Sequence, residues 1–538
     1  MQCANRCGGK GDALDGARFA KLKRSTNASD SDVIDSKTSI DNVALNVDPT
    51  GIPGLDDVLR GGLPRGQLYL LEGSAGAGKT TLGLQFLLEG VRRGERALWC
   101  TLSETEAQLV ATAKSHGWDL DGVKIVNLTQ ASDAPGMADA AYSFFSPADI
   151  ELSDIAKAVV ELIENERPRR VVFDPFSDVR LLARDPLRYR RQVLQLREHL
   201  ARLDATVLLI QEQGFEPPSD PAAEGVVHGI IGLYQHAPEY GRPRRRLRIQ
   251  KLRGLNYREG FHDVALRTGG LAVFPRLIAA EHALPPERGV LSSGLTSLDN
   301  MLGGGLDRGT SLIVIGPSGA GKSTLATQFA CAAAARGERC AYYLFDETER
   351  AFRARAESLQ MPLQGARKGV CGVEVRQIDP AEFSPGEFAH DVRSAVEDQD
   401  ARLIVIDSIN GFLTGMPDER HLPMHLHELL SYLALRNVVT ILTLNQHGLV
   451  SAEPHSSVEV SYLADSALLI RYFEAAGAVR RAASLLKRRF GAHEVLIREL
   501  KIAPPGIHLG EPLREFRGVL TGQPDYTGPH AELSAMET

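Results

Sequence analysis

The chain has 538 residues, 61 Lys and Arg against 68 Asp and Glu, a formal net charge of −7 at pH 7 and 43% hydrophobic residues. This is the composition of a soluble chain long enough for two to four domains with cores of their own. The negative balance argues against a protein whose main work is coating nucleic acid. The absence of a signal-peptide stretch and of any apolar run long enough to span a bilayer leads us to expect a cytoplasmic protein with no membrane partner.

Residues 1–48 are polar, with Ser, Asp, Asn and Lys mixed as in Ser25-Thr26-Asn27-Ala28-Ser29-Asp30, and are expected to form a disordered arm. Cys3 and Cys7 lie in it with no second pair nearby to complete a zinc site. From Thr50 the chain begins to repeat. Gly51-Ile52-Pro53-Gly54-Leu55-Asp56 returns as Gly294-Leu295-Thr296-Ser297-Leu298-Asp299, an offset of 294 − 51 = 243. One constant, long offset indicates a duplicated domain. The expected layout is a first domain over 49–280, a linker of Pro- and Glu-rich composition over 281–290, a second domain over 291–522 and a tail over 523–538.

In each half an apolar run leads into a loop of the form G-x-x-x-x-G-K-[ST] and then into a helix-like segment. The first loop is Gly73, Ser74, Ala75, Gly76, Ala77, Gly78, Lys79, Thr80 and Thr81; the second is Gly316, Pro317, Ser318, Gly319, Ala320, Gly321, Lys322, Ser323 and Thr324. The loop lysines repeat the offset, 322 − 79 = 243. Glycines let successive N–H groups turn inward on a phosphate, the helix start adds partial positive charge, the Lys reaches the β- and γ-phosphates and the hydroxyl of Thr80 or Ser323 holds Mg²⁺. Two such loops in matching context point to two ATP sites.

Further apolar runs follow at 97–100, 170–173 and 206–210 and again at 341–345, 403–406 and 438–442. Buried strands separated by helices imply an α/β fold: two tandem domains, each a mostly parallel sheet flanked by helices, with ligands at the carboxyl ends of the strands. Asp174 and Asp407 close such runs and are placed to hold the Mg²⁺. Ser103-Glu104-Thr105-Glu106 and Asp346-Glu347-Thr348-Glu349 end the strands that follow the loop helices. Glu104 and Glu347 are the candidates to orient or deprotonate an attacking group, and Glu106 and Glu349 read as helix-start acids. Gln211-Glu212-Gln213 and Asn445-Gln446-His447 could sense the γ-phosphate. Lys251 and Arg253, and likewise Lys487 and Arg489, are either charges on an exposed strand or cations offered to a neighbour's γ-phosphate; their position alone leaves both readings open. His421, His425, His427 and Glu428 read as a helix start with exposed imidazoles.

Together these elements resemble the RecA superfamily, and most closely the KaiC family of circadian-clock ATPases and autokinases. Ser115-His116-Gly117-Trp118-Asp119-Leu120, Lys251-Leu252-Arg253-Gly254 and Gly270-Leu271-Ala272-Val273-Phe274-Pro275 match the first half of that family. Ser461-Tyr462-Leu463-Ala464-Asp465-Ser466 and Ile497-Arg498-Glu499-Leu500 match the second. The resemblance runs from about Pro49 to Gly522. It implies a RecA-like fold in each half and a double-ring homo-hexamer with ATP between subunits. It further implies slow hydrolysis in the first ring, phosphorylation of the protein's own residues in the second, and signalling or clock partner proteins. Glu104 and Glu347 then take the base positions, Lys251, Arg253, Lys487 and Arg489 reach across the interface, and Ser461 is the phosphoacceptor. The chain departs from the family where adjacent glutamates become Ser103-Glu104 and Asp346-Glu347, and where Tyr462 follows Ser461 in place of Thr. The competing reading is a DNA-acting ATPase of recombinase or helicase type, whose turnover single-stranded DNA would raise.

Overall fold

The computed structural model of the chain describes residues 46–128, 152–177, 186–212, 221–363, 372–415, 421–446, 463–475, 477–521 and 524–528. The expected arm lies almost wholly outside these residues, as does Ser461.

Each half is built on a nine-stranded sheet. In the first, the phosphate-loop strand Leu68–Gly73 lies in the middle, between Thr206–Glu212 and Gly229–His236, and pairs parallel with both. Beyond Thr206–Glu212 come Arg170–Asp174, Ala97–Thr101 and Val123–Asn127, all parallel. Beyond Gly229–His236 the direction alternates through Arg244–Leu252, His262–Arg267 and Gly270–Phe274. The second half repeats this order around Ser311–Gly316, ending in the antiparallel strands Ala478–Arg488, Arg498–Ile502 and Ile507–Pro512. The fold is therefore α/β, with two tandem RecA-like domains.

The apolar runs explain the layering. All six residues of Leu68–Gly73 are buried, because side chains on both faces of a central parallel strand meet helices. One face packs the helix Lys79–Arg92 through Leu82, Phe86 and Leu87 against Trp99 and Leu208; the other packs Leu70 and Leu209 against Val159 and Val193. The second half has the same two layers, one around Leu325 and Phe329, the other around Phe388 and Leu429. No described helix is long and apolar enough to cross a membrane.

The halves touch along the alternating strands of the first. Arg244 donates to the carbonyls of Pro380 at 2.7 Å and Phe383 at 2.5 Å, and the Gly386 amide donates to Asp263 at 2.7 Å. The connecting segment is tied to the second half: Leu284 N donates to Leu435 O and Glu287 N to Asn437 Oδ1, at 2.9 and 3.0 Å.

One buried charge holds the first half's layers together. Arg170 has no exposed surface, lies over the Phe86 ring at 4.7 Å, donates to Glu95 at 2.6 Å and reaches the Pro49 and Phe86 carbonyls at 2.7 and 2.9 Å. The corresponding strand position in the second half is the apolar, buried Leu403. Removing one partner of a buried ion pair typically costs about 3–5 kcal/mol. Arg170→Ala is therefore expected to lower unfolding stability of the full chain by about that amount in chemical denaturation, and a loss below about 1 kcal/mol would contradict this account.

Candidate nucleotide sites

Both phosphate loops sit at the carboxyl end of the middle strand, where the sequence pattern requires them. Gly73 is pressed against the next strand: a Cβ there would lie 2.1 Å from Leu233 O, and at Gly316 2.5 Å from Ile470 O. Gly78 and Gly321 have φ of 108° and 106°, conformations that side chains resist, and each starts the loop helix. Lys79 Nζ donates to the carbonyls of Gly73 and Ser74, both at 2.9 Å, and Lys322 Nζ to Pro317 O at 2.7 Å. Burial lowers both lysines, Lys322 to about 8. A buried ammonium with depressed affinity for its proton gains from an anion beside it.

The strand-end acids differ between the halves. Asp174 is buried and accepts from Thr80 Oγ1 at 3.2 Å. Burial first, and the nearby Glu104 carboxylate second, push its carboxyl up to about 7. Asp407 is equally buried but accepts from Tyr342 OH at 2.9 Å and Thr443 Oγ1 at 2.5 Å. The first half offers Trp99 and Ile210 at those positions, so Asp174 lacks both donors. A cis peptide follows each acid, Asp174–Pro175 and Asp407–Ser408. The Thr80 hydroxyl beside the Asp174 carboxylate is a hard oxygen pair of the kind Mg²⁺ takes together with phosphate oxygens, and the charge-starved Asp174 fits a cation. Ser323 and Asp407 line one cleft in the second half.

That cleft has a volume of about 520 Å³ and includes Lys322, Asp346, Glu347, Arg355, Asn445 and Arg481 in its wall. Glu347 is gripped there: Arg355 donates to its two oxygens at 2.7 and 3.4 Å. Asp346 accepts from Ser408 Oγ at 2.5 Å and Asn445 Nδ2 at 3.5 Å. Glu104 has no such cation among the described residues; its backbone N–H is held by Thr101 Oγ1 at 2.9 Å, and burial raises its carboxyl. Glu106 and Glu349 lie in the first turns of helices capped by Thr105 and Thr348. Glu212 is close enough to Lys79 to offset part of its lowering by burial, and Asn445 takes the matching place in the second half. Gln213, His447, Ser461 and Tyr462 lie outside the described residues.

The candidate cation pairs are not at the chain's own loops. Lys251 pairs with Ile230, which pairs with Leu70, three residues before Gly73. The Arg253 amide bonds His228 O, whose amide bonds Leu68 O. At about 3.3 Å per residue the two cations start roughly 10 and 17 Å from the loop, at the other end of the sheet. Their side chains reach the carbonyls of Glu224 and Gly225, the latter at 3.3 Å. Lys487 pairs through Ala467 to Ile313, three residues before Gly316, and Arg489 N bonds Asp465 O, so the second half repeats the displacement. Burial and the adjacent arginine lower Lys251 and Lys487 alike.

The cations that do stand at each half's own loop were not singled out in the sequence. Arg245 donates to Gly76 O at 3.3 Å, and Arg481 lies over the Tyr472 ring in the second cleft. Arg355, Tyr342 and Thr443 also escaped notice. The near-repeat of Gln235–Arg245 as Tyr472–Arg481 across the paired strands was the available signal for the first two.

A phosphate loop at the end of a central parallel strand, with an acid closing the strand two places over, defines a P-loop nucleoside triphosphatase with a RecA-like core, here twice in one chain. The family model described as "ATPase: KaiC" matches residues 48–278 and 291–514, and the chain belongs to that family of ATPases. It is 27% identical to the circadian clock protein KaiC3 of Synechocystis, over 89% of this chain and 94% of that protein. To the circadian clock oscillator protein KaiC of Synechococcus elongatus it is 26% identical, over 88% and 91%.

The raised Asp174 carboxyl has a consequence for the nucleotide- and magnesium-free protein. The folded state favours its protonated form, so this contribution is present at low pH and is lost as pH rises through about 7. In EDTA, the thermal midpoint is expected to fall as pH rises from about 4 through about 7 and to level off above that, and Asp174→Asn to flatten that fall and raise the midpoint at about pH 8. Parallel pH curves for the two proteins would contradict the assignment.

Proposed function

We propose that the chain binds Mg·ATP at both loops, hydrolyses it, and phosphorylates its own Ser461 in the second half, working as a cytoplasmic homo-hexamer in signalling or timing. The carrying observation is the displacement of Lys251, Arg253, Lys487 and Arg489 to the sheet end remote from their own loops. In each pair the arginine lowers the lysine beside it, so the two together favour an anion; Arg489 meets Asp465 at 3.2 Å in its own chain, and a ring would bring a neighbour's triphosphate to both pairs. Closing that contact around a ring supplies every loop with a partner.

In this reading the loop amides and Lys79 or Lys322 grip the β- and γ-phosphates, while Arg245 and Arg481 steady the near side. Thr80 with Asp174, and Ser323 with Asp407, would hold Mg²⁺, which neutralises charge developing on the phosphate oxygens. Glu104 would orient water in the first half. In the second, Glu347 would take the Ser461 hydroxyl proton as the new O–P bond forms and the bond to the ADP leaving group breaks. The relatives' names as circadian clock proteins support a timing function, and the like placing of loop and strands in both halves supports turnover in each. The acidic balance weighs against the DNA-acting alternative.

Incubation with Mg·ATP followed by phosphopeptide mapping is expected to find phosphate on the peptide carrying Ser461, and Glu347→Gln to cut its rate by about 10²–10⁴-fold. Intact hydrolysis with no phosphate on that peptide would remove the kinase part of the proposal.

A further inference from the structure

The second cleft contains a cation with no counterpart at Glu104 among the described residues, and it occupies the very carboxylate that would accept a proton. Arg355 lies on the helix Glu349–Ser358, with Nη2 donating to Glu347 Oε2 at 2.7 Å and Nε to Oε1 at 3.4 Å. Its remaining arm, Nη1, stands 3.5 Å from Thr324 Oγ1, the residue that closes the phosphate loop. The guanidinium is steadied by the Phe352 ring at 5.3 Å. It therefore spans the cleft between the catalytic carboxylate and the loop. In the first half, Thr112 stands at the equivalent position, since 355 − 243 = 112, and bonds back to Gln108 O at 3.0 Å. Glu104 has no such partner among the described residues.

We propose that Arg355 is an occupancy-sensing latch on Glu347: without nucleotide it holds both carboxylate oxygens, and a bound triphosphate draws the guanidinium onto phosphate oxygens and releases the carboxylate. The inference rests on the reading that Glu347 is the proton acceptor of the second site. A carboxylate whose two oxygens both accept from one guanidinium has about half of its lone-pair sites engaged and is less available to an incoming hydroxyl. A triphosphate is the stronger competitor, because it brings several negative charges and a matching array of oxygens to a planar fork of donors. Arg355 is thus a positioning residue. It couples the second site's readiness to its occupancy, whereas no described residue holds Glu104 in this way in the first.

A competition of this kind has a thermodynamic signature. The test uses the full chain carrying Lys79→Ala, which confines binding to the second site, and titrates it with the magnesium complex of the non-hydrolysable analogue adenylyl imidodiphosphate. Glu347→Gln removes the competing carboxylate and should tighten binding several-fold, while Arg355→Ala should weaken it about tenfold and Arg355→Lys should recover part of that loss. With Arg355→Ala present, Glu347→Gln should no longer tighten binding, because nothing remains to be released. Tightening that persists undiminished in the double variant would show simple charge repulsion and overturn the latch, as would an Arg355→Ala chain with unchanged affinity. Failure of the Lys79→Ala chain to bind the analogue at all would overturn the nucleotide-site reading and the latch with it.

Discussion

Strand register is the constraint on which the arrangement depends. Parallel strands deliver all their carboxyl ends to one edge of the sheet, so the loop, the strand-end acid and the candidate proton-handling carboxylate gather there without further instruction. An antiparallel strand laid beside them runs the other way. Its late residues, Lys251 in the first half and Lys487 in the second, must then fall level with the beginning of the loop strand. The same ladder that collects the acids separates the late cations from them by roughly 10 Å or more. In the proposed ring those cations serve a triphosphate that another chain presents, and the chemistry of the site and the assembly become one problem.

Within that shared frame the two sites have been set differently. Asp407 receives hydroxyl donors from Tyr342 and Thr443, while Asp174 faces Trp99 and Ile210 in their place and, among the described residues, keeps Thr80 as its side-chain donor. Burial, and then the nearby Glu104 carboxylate, push the first acid up to about 7. Glu347 is held by Arg355 and Glu104 is not. Duplication preserved the backbone geometry of both loops, down to φ values of 108° and 106° at their last glycines. Divergence acted on side chains that reach the site from neighbouring strands and helices.

This division also marks what could be read in advance. Loops, strand-end acids and the doubled α/β architecture are encoded in contiguous residues: glycine spacing, apolar runs and a constant offset. The grip on Asp407 comes from residues 65 and 36 positions away. Tyr342 sits inside a run that reads simply as buried strand, and Thr443 inside another. Arg355 is one arginine among Arg350, Arg353 and Arg355 on a charged helix, and only the fold shows which of them turns into the cleft. Arg245 was masked by the basic run around it, where strand alternation and pairing decide which side chain meets the loop. The remote position of the late cations likewise required the register, since sequence spacing alone allowed either reading.

The most direct test of sites shared between chains is subunit mixing. In a Lys322→Ala background that silences the second half, chains carrying Lys79→Ala and chains carrying Arg253→Ala should each hydrolyse little ATP alone. Mixed in equal amounts and co-assembled, they should recover about a quarter of the background's turnover, because one contact in four then joins an intact loop to an intact neighbouring arginine. Verified co-assembly with no recovery would place Arg253 in service to its own chain and contradict the account.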